Sequence, residues 1–366
     1  MSRPSLMTLI GTRPEIVKMS PLIPRFDEEF HHILVHSGQH YSANMDAVFF
    51  EDLELRQPDY TLEVGSHPPG KQTALILSAV EGLLQETSPD VLVVHGDTNT
   101  TLAGGLAAAK RATTLLVHVE AGARSGNPKQ AEEINRQIVD RVSDIHFVPY
   151  QHDLENLRRE AISTDRAYVT GNTVIASCLR ASTLDGAERY LESHGVSPGR
   201  YALATFHRQE AVDHPETLAG ICDALDAVSR SLSVIVPLHP RSRKMMQQYD
   251  ISFRSDAVTV TEPIGYREMI ALLSNARFCL TDSGGLMEEA GVLRIPGLIL
   301  RRETEHVRYV ESGIHALVGT DPDEIQREAE QLLNDDERRK RSGSAPDSSD
   351  LAPVERIIDH LRVELS

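Results

Sequence analysis

Short aliphatic and β-branched runs alternate along the chain with longer segments of helical composition. In the first half the runs fall at residues 5–10, 33–36, 91–94, 115–119, 145–148 and 167–170, and the helical segments at 14–24, 72–85, 100–110, 131–142 and 173–180. Repeated strand–helix alternation predicts a parallel sheet with helices on both faces. The pattern restarts after Gly171-Asn172, with strands expected at 201–205, 233–237, 258–261, 277–280, 297–300 and 315–318 and helices at 215–229, 266–274 and 323–333. The expected fold class is therefore α/β, two Rossmann-like doubly wound domains over residues 1–171 and 172–350. A closing amphipathic helix at 354–363, within residues 351–366, follows a Ser/Asp-rich loop from Ser342 to Asp350. Two such domains leave a cleft between them, and ligands sit beyond the carboxyl ends of the strands.

Composition supports this and removes several function classes. A chain of 366 residues is long for one core, so two domains are the natural division. The net charge of −17 argues against nucleic acid or an anionic membrane as partner. Arginine outnumbers lysine 31 to 6 against 54 acidic residues, a bias that fits a salt-adapted surface or a GC-rich coding sequence equally well. Cys178, Cys222 and Cys279 are far apart in apolar surroundings, as core thiols in a reducing compartment would be. No run approaches the roughly 18 apolar residues of a membrane span, and the short run before Arg13 is too brief for a signal-peptide core. A cytoplasmic location is expected.

Candidate chemistry follows the strands. Thr281-Asp282-Ser283-Gly284-Gly285 joins a strand to a helix, where free backbone N–H groups and the helix dipole would receive a diphosphate. A plain tight turn with a solvated acidic helix start remains the alternative. Glu288-Glu289, one turn on, would repel phosphate, so one of them is expected to reach hydroxyl groups such as those of a ribose. In the first half Gly11-Thr12-Arg13-Pro14-Glu15 puts Arg13 and Lys18 one turn apart toward an anion. His95-Gly96-Asp97-Thr98 and Glu120-Ala121-Gly122 bring two carboxylates to adjacent strand ends, and a third comes from the helix with Glu132, Glu133 and Arg136. Glu132 and Arg136 share a face, which is either part of the site or an exposed ion pair. Converging carboxylates suggest proton transfer. His31, His32, His36 and His40 lie across a strand and a loop and not on one helical face, which disfavours a metal. His207 and His239 end strands, as cleft-facing donors or as satisfied strand-end histidines.

Taken in order, Gly11-Thr12-Arg13-Pro14-Glu15, Ser37-Gly38-Gln39-His40, His95-Gly96-Asp97-Thr98, His118-Val119-Glu120-Ala121-Gly122, Glu132-Glu133-Ile134-Asn135-Arg136, Gly171-Asn172-Thr173, His207-Arg208-Gln209-Glu210 and Thr281-Asp282-Ser283-Gly284-Gly285 resemble the non-hydrolysing UDP-N-acetylglucosamine 2-epimerases across almost the whole chain. The resemblance implies a GT-B fold, a homodimer, and interconversion of UDP-N-acetylglucosamine and UDP-N-acetylmannosamine through a glycal, with neither metal nor nicotinamide cofactor. It implies Asp97, Glu120 and Glu132 as acid/base carboxylates, and Arg13, Lys18, Arg136, His207, Ser283, Gly284, Gly285 and Glu289 as UDP contacts. Gln39, His40, Gln72, Arg208 and His239 match positions for a second, activating UDP-sugar. The chain departs from the family where Thr304-Glu305-His306 replaces Thr-Glu-Arg, where Phe206 replaces a small residue and where Ala131 replaces Pro. A 2-epimerase of a related UDP-sugar such as a diacetamido uronate, a hydrolysing 2-epimerase and a GT-B glycosyltransferase are the competing functions.

Overall fold

A computed structural model describes residues 3–39, 49–304, 307–334 and 352–365. The expected loop from Ser342 to Asp350, together with His40, Glu305 and His306, lies outside the described residues. The chain divides into two compact units, residues 1–177 with 347–366, and residues 178–346.

The first unit is built on seven parallel strands: β1 (Ser5–Ile10), β2 (His31–His36), β3 (Tyr60–Thr61), β4 (Val91–His95), β5 (Leu115–Val119), β6 (Ile145–Val148) and β7 (Ala167–Val169). Their order is β3-β2-β1-β4-β5-β6-β7, so the direction of winding reverses between β1 and β4. Met7, Leu9, Leu92 and Val94 form a core with Ile76, Val80 and Leu84. The helix Pro69–Thr87 buries Gln72, Ile76, Val80 and Leu84, a strict four-residue repeat that defines one face. The helix Asn99–Ala108 starts on Thr98, whose Oγ1 accepts from Thr101 N at 3.1 Å, and presents alanines and glycines to the sheet, which allows close approach.

Where one helix was expected over 14–24, there are two, Arg13–Met19 and Leu22–Glu29. Pro21 has no N–H to continue the first and stands as N-cap of the second. The helix Gln151–Arg159 has no counterpart in the hydrophobic pattern because only Leu154 and Leu157 anchor it among charged residues. The closing helix Pro353–Glu364 belongs with the first unit, where Arg362 Nη2 pairs with Glu29 at 2.7 Å and Arg25 Nη2 with Glu355 at 3.2 Å. The division falls after Ser177, inside the helix Thr173–Thr183, six residues past the expected junction.

The second unit repeats the plan with β8 (Tyr201–Thr205), β9 (Ser233–Pro237), β10 (Val258–Thr261), β11 (Phe278–Thr281), β12 (Gly297–Ile299) and β13 (His315–Leu317). The order β10-β9-β8-β11-β12-β13 is parallel throughout and reverses between β8 and β11. Ala202, Ala204, Val234, Val236, Phe278, Leu280 and Leu298 form the sheet side of its core. Cys178, Cys222 and Cys279 are buried free thiols. Among the described residues no helix is long and apolar enough to cross a membrane.

The exit from β5 is sterically confined. Gly122 has φ +79°, and a Cβ there would fall 2.4 Å from the main-chain oxygen of Asp153. Gly122→Ala should therefore cost about 2 kcal/mol, from strain plus clash, and lower the melting temperature of the first unit by roughly 4–8 °C in a thermal denaturation. An unchanged Tm would show that the turn relaxes freely.

Candidate active site

In a doubly wound sheet the loops on either side of the reversal leave to opposite faces and open a crevice at the strand ends. In the first unit that crevice lies beyond β1 and β4, and a buried carboxylate spans it. Glu15 Oε2 accepts from Gly11 N at 3.0 Å and from Thr12 Oγ1 at 2.9 Å, while Oε1 accepts from Thr98 Oγ1 at 3.0 Å. Glu15 thus ties the turn after β1 to the turn after β4. Burial raises its pKa even though these donors and His95 oppose the shift.

Two further carboxylates stand at the neighbouring turns with opposite proton affinities. Burial alone would raise Glu120, but Lys18 Nζ at 2.5 Å and His95 Nε2 at 3.4 Å hold its carboxyl well below the usual range. Asp97 is raised: burial dominates, Arg136 opposes it through a direct ion pair, and the Glu120 charge adds to the rise. Glu120 itself adopts φ +70°, the left-handed region that only a firmly held non-glycine residue keeps. Asn135 Nδ2 donates to the Asp97 main-chain oxygen at 2.8 Å, so the helix Ala131–Val142 fixes the turn from above as well as supplying Arg136.

The helix presents a different glutamate from the one expected. Glu132 is exposed, whereas Glu133 is buried, accepts from Ser125 N at 2.8 Å and lies 3.5 Å from Arg136 Nη1. The expected Glu132–Arg136 pair is thereby replaced by contacts of Arg136 with Asp97 and Glu133, since the helix turns its Glu133–Asn135 side toward the sheet. Arg13 lies over the Phe49 ring, 5.2 Å from its centroid.

Gln39 and Gln72 are inside the unit. Gln72 Nε2 donates to the main-chain oxygens of Gln39 and Gly65, both at 2.8 Å, and its Oε1 accepts from Asn99 Nδ2 at 2.8 Å. Gln39 Oε1 accepts from Thr100 N at 2.9 Å and from Thr100 Oγ1 at 2.7 Å. These atoms brace the start of the helix Asn99–Ala108, a role that a motif match does not reveal. His40 lies outside the described residues.

The second unit has its own crevice, beyond β8 and β11. Asp282 is fully buried, and its Oδ2 accepts from His207 N and Arg208 N, each at 2.7 Å. Its Oδ1 lies 3.3 Å from Nδ1 of the half-exposed His207 ring. His239 stacks on His207 with centroids 4.7 Å apart and accepts from Arg241 N at 3.1 Å, and burial followed by the nearby His207 lowers its pKa. Ser283 caps the helix Gly284–Val292, so Gly284 and Gly285 stand in its first turn with donors that no intrahelical carbonyl can use. Glu288 and Glu289 are buried on the same helix, and Glu288 lies 3.9 Å from Arg308 Nη2. His306 lies outside the described residues.

Glu15, Asn135 and Asp282 stand within the motif blocks but carry no signal of their bracing roles, because each acts on a turn distant in sequence. Among the described residues no group of three or more His, Cys, Asp or Glu is placed to hold a metal.

Two doubly wound parallel sheets, each with ionisable side chains gathered at its reversal, define a two-domain α/β protein of the GT-B class. A family model described as UDP-N-acetylglucosamine 2-epimerase matches residues 25–362. Over 353 residues the chain is 37% identical to the UDP-N-acetylglucosamine 2-epimerase of Methanocaldococcus jannaschii, covering 93% of this chain and 94% of that protein. It is also 37% identical over 332 residues to the UDP-2,3-diacetamido-2,3-dideoxy-D-glucuronate 2-epimerase of Pseudomonas aeruginosa, covering 90% and 92%. The crystal structure of the M. jannaschii UDP-GlcNAc 2-epimerase in complex with UDP-GlcNAc and UDP is similar at a TM-score of 0.80 and 36% identity, over 98% of this chain and 99% of that one. The chain belongs to the UDP-N-acetylglucosamine 2-epimerase family.

The Lys18–Glu120 pair should be visible in stability. A carboxylate whose folded pKa is depressed stabilises the fold above its unfolded value, here 4.5, and loses that contribution as pH falls toward the folded value. Lys18→Met leaves Glu120 ionised without its partner, so denaturation should find a loss of about 3 kcal/mol at pH 7. The loss should shrink progressively below about pH 4.5. An equal loss at pH 7 and at about pH 3.5 would trace the effect to lost packing of the lysine stem.

Proposed function

We propose that the chain is a UDP-N-acetylglucosamine 2-epimerase of the non-hydrolysing kind, and that Asp97 and Glu120 move the proton at sugar carbon 2. The observation that carries this reading is their opposite pKa shifts at adjacent strand ends: Glu120 is held ionised by Lys18 and His95, whereas Asp97 is pushed up by burial. Environments that drive two neighbouring carboxylates apart assign a base and an acid. Glu120 takes the proton from carbon 2, the bond from carbon 1 to the diphosphate oxygen breaks, and UDP leaves with the electron pair to give the glycal. Asp97 returns a proton on the opposite face of carbon 2, and the diphosphate oxygen re-adds at carbon 1. In the reverse direction the two exchange roles. Glu132 is the third acid/base candidate in this reading, exposed at the start of its helix.

For binding UDP the first unit offers the positive charge of Arg13, Lys18 and Arg136, and the second unit offers Ser283, Gly284 and Gly285 at the first turn of the helix Gly284–Val292. In the second unit His207 is a further donor for phosphate, and Glu289 takes ribose hydroxyls. Of the residues matched to a second UDP-sugar, Arg208 is half-buried and His239 exposed, so these two are the contacts. Gln39 and Gln72 act through the helix start they brace. His40 completes the matched set. The 37% identity to the P. aeruginosa protein equals that to the M. jannaschii protein, so a UDP-linked diacetamido uronate belongs in the assay beside UDP-N-acetylglucosamine. A cytoplasmic location suits a nucleotide-sugar substrate.

In deuterated water the epimerised product should carry deuterium at carbon 2, seen by proton NMR, and full retention of hydrogen would sink the proton-abstraction reading. Accumulation of free UDP and sugar would instead identify a hydrolysing enzyme. Asp97→Asn and Glu120→Gln should each lower turnover by about 10²-fold or more with little change in UDP binding by calorimetry. Parallel loss of UDP affinity would make them ligand contacts.

The same reading includes a homodimer. Leu75, Ile134 and Ile138 are 41%, 47% and 36% exposed on the two helices that flank Asn99–Ala108, Pro69–Thr87 and Ala131–Val142. Three exposed large apolar side chains on helices that pack against the same third helix suit a self-complementary surface. Light scattering on the purified chain should give twice the 40.5 kDa monomer mass, and Leu75→Lys with Ile134→Lys should return it toward one. A monomeric wild-type chain at micromolar concentration rejects the dimer.

A further inference from the structure

His118, on β5, is fully buried between two partners that can only accept. Its Nε2 lies 2.7 Å from the main-chain oxygen of Gly96, and its Nδ1 lies 2.7 Å from Oδ1 of Asp140, itself fully buried on the helix Ala131–Val142. A carbonyl oxygen has no proton to give, so Nε2 must carry one. Asp140 Oδ2 accepts from Gly122 N at 3.1 Å and lies 2.7 Å from Arg124 Nη1, and these two donors keep it a carboxylate. Nδ1 therefore carries a proton too.

The geometry points to His118, donating from both ring nitrogens, as the positioning residue for the catalytic turns, clamping Gly96 and, through Asp140, Gly122. This rests on the assignment of Asp97 and Glu120 as the acid/base pair. Gly96 immediately precedes Asp97, and Gly122 lies two residues beyond Glu120. The two turns contain three left-handed residues, Gly96 at φ +68°, Glu120 at φ +70° and Gly122 at φ +79°. Such backbone persists only where the surroundings over-determine it, and one His–Asp pair reaches both turns. Asp140 shares its helix with Asn135 and Arg136, which hold the main chain and the side chain of Asp97. A shift of Asp140 thus moves Arg136 relative to both carboxylates.

The charged groups around the pair account for its state. Arg124 is neutralised by Glu160 at 2.7 Å, with Glu133 at 4.0 Å. On β6, His146 donates from Nε2 to the Asp140 main-chain oxygen at 2.7 Å, and burial lowers its pKa. The Asp140 carboxyl is held low: burial would raise it, and His118 and Arg124 outweigh burial.

The test is proton-detected nitrogen-15 NMR of the full chain labelled at histidine, in which only ring N–H groups shielded from exchange with water give signals. One histidine should show an N–H at both ring nitrogens, with a strongly downfield Nδ1–H, and that Nδ1 signal should vanish in Asp140→Asn. A wild-type spectrum without any histidine bearing both N–H groups overturns the proposal, whether or not the variants fold. In turnover, His118→Phe and Asp140→Asn should each lower kcat by about 10- to 100-fold while KM stays within about 3-fold, as expected when reacting groups are misplaced by a fraction of an ångström. His118→Gln, which can still donate to Gly96, should recover part of the loss relative to His118→Phe. Wild-type kcat in His118→Phe overturns the positioning role. If Asp97→Asn and Glu120→Gln kept full turnover while the His118 variants lost it, the acid/base assignment would fall and the clamp by His118 would stand on the spectrum alone.

Discussion

Each unit depends on one buried carboxylate that closes the gap its own topology opens. Reversal of strand order leaves adjacent turns, after β1 and β4 or after β8 and β11, with backbone donors facing a crevice that no strand fills. In the first unit Glu15 takes donors from both turns at once. In the second, Asp282 at the end of β11 takes two main-chain N–H groups from the turn after β8. An unpaired buried donor costs as much as a lost hydrogen bond, and a bare buried carboxylate costs more. The two liabilities cancel when brought together, and the strand ends become rigid platforms for the side chains beside them.

On those platforms charge is distributed unevenly. Glu120 is saturated with positive partners, whereas Asp97 shares Arg136 with Glu133 and feels the Glu120 charge. One carboxyl is thereby held well below the usual range and the next is raised above it. Behind both, the fully buried His118–Asp140 pair ties the turn after β4 to the turn after β5. The second unit offers a capped helix start and an imidazole beside Asp282 at its reversal, which suits holding an anion over moving a proton.

The sequence by itself determined the two doubly wound units and the turns that carry chemistry. Apolar runs and the residues directly after them are local signals, and a strand end exposes whatever follows it. The blocks after β1, β4, β5, β8 and β11 were therefore legible as candidate chemistry, as was the strand-to-helix turn at Gly284-Gly285; that Ser283 caps the helix came from the structure. Tertiary structure decided what depends on the rotation of an element about its axis or on partners far apart in sequence. The phase of the helix Ala131–Val142 against the sheet put Glu133, and not Glu132, beside Arg136, a choice between adjacent residues that composition cannot make. Packing also turned Gln39 and Gln72 into internal braces, brought His118 to Asp140, and returned the closing helix to the first unit through Arg362 and Glu29. A hydrogen bond is specified by position to within a few tenths of an ångström, and only the packed fold fixes positions that finely.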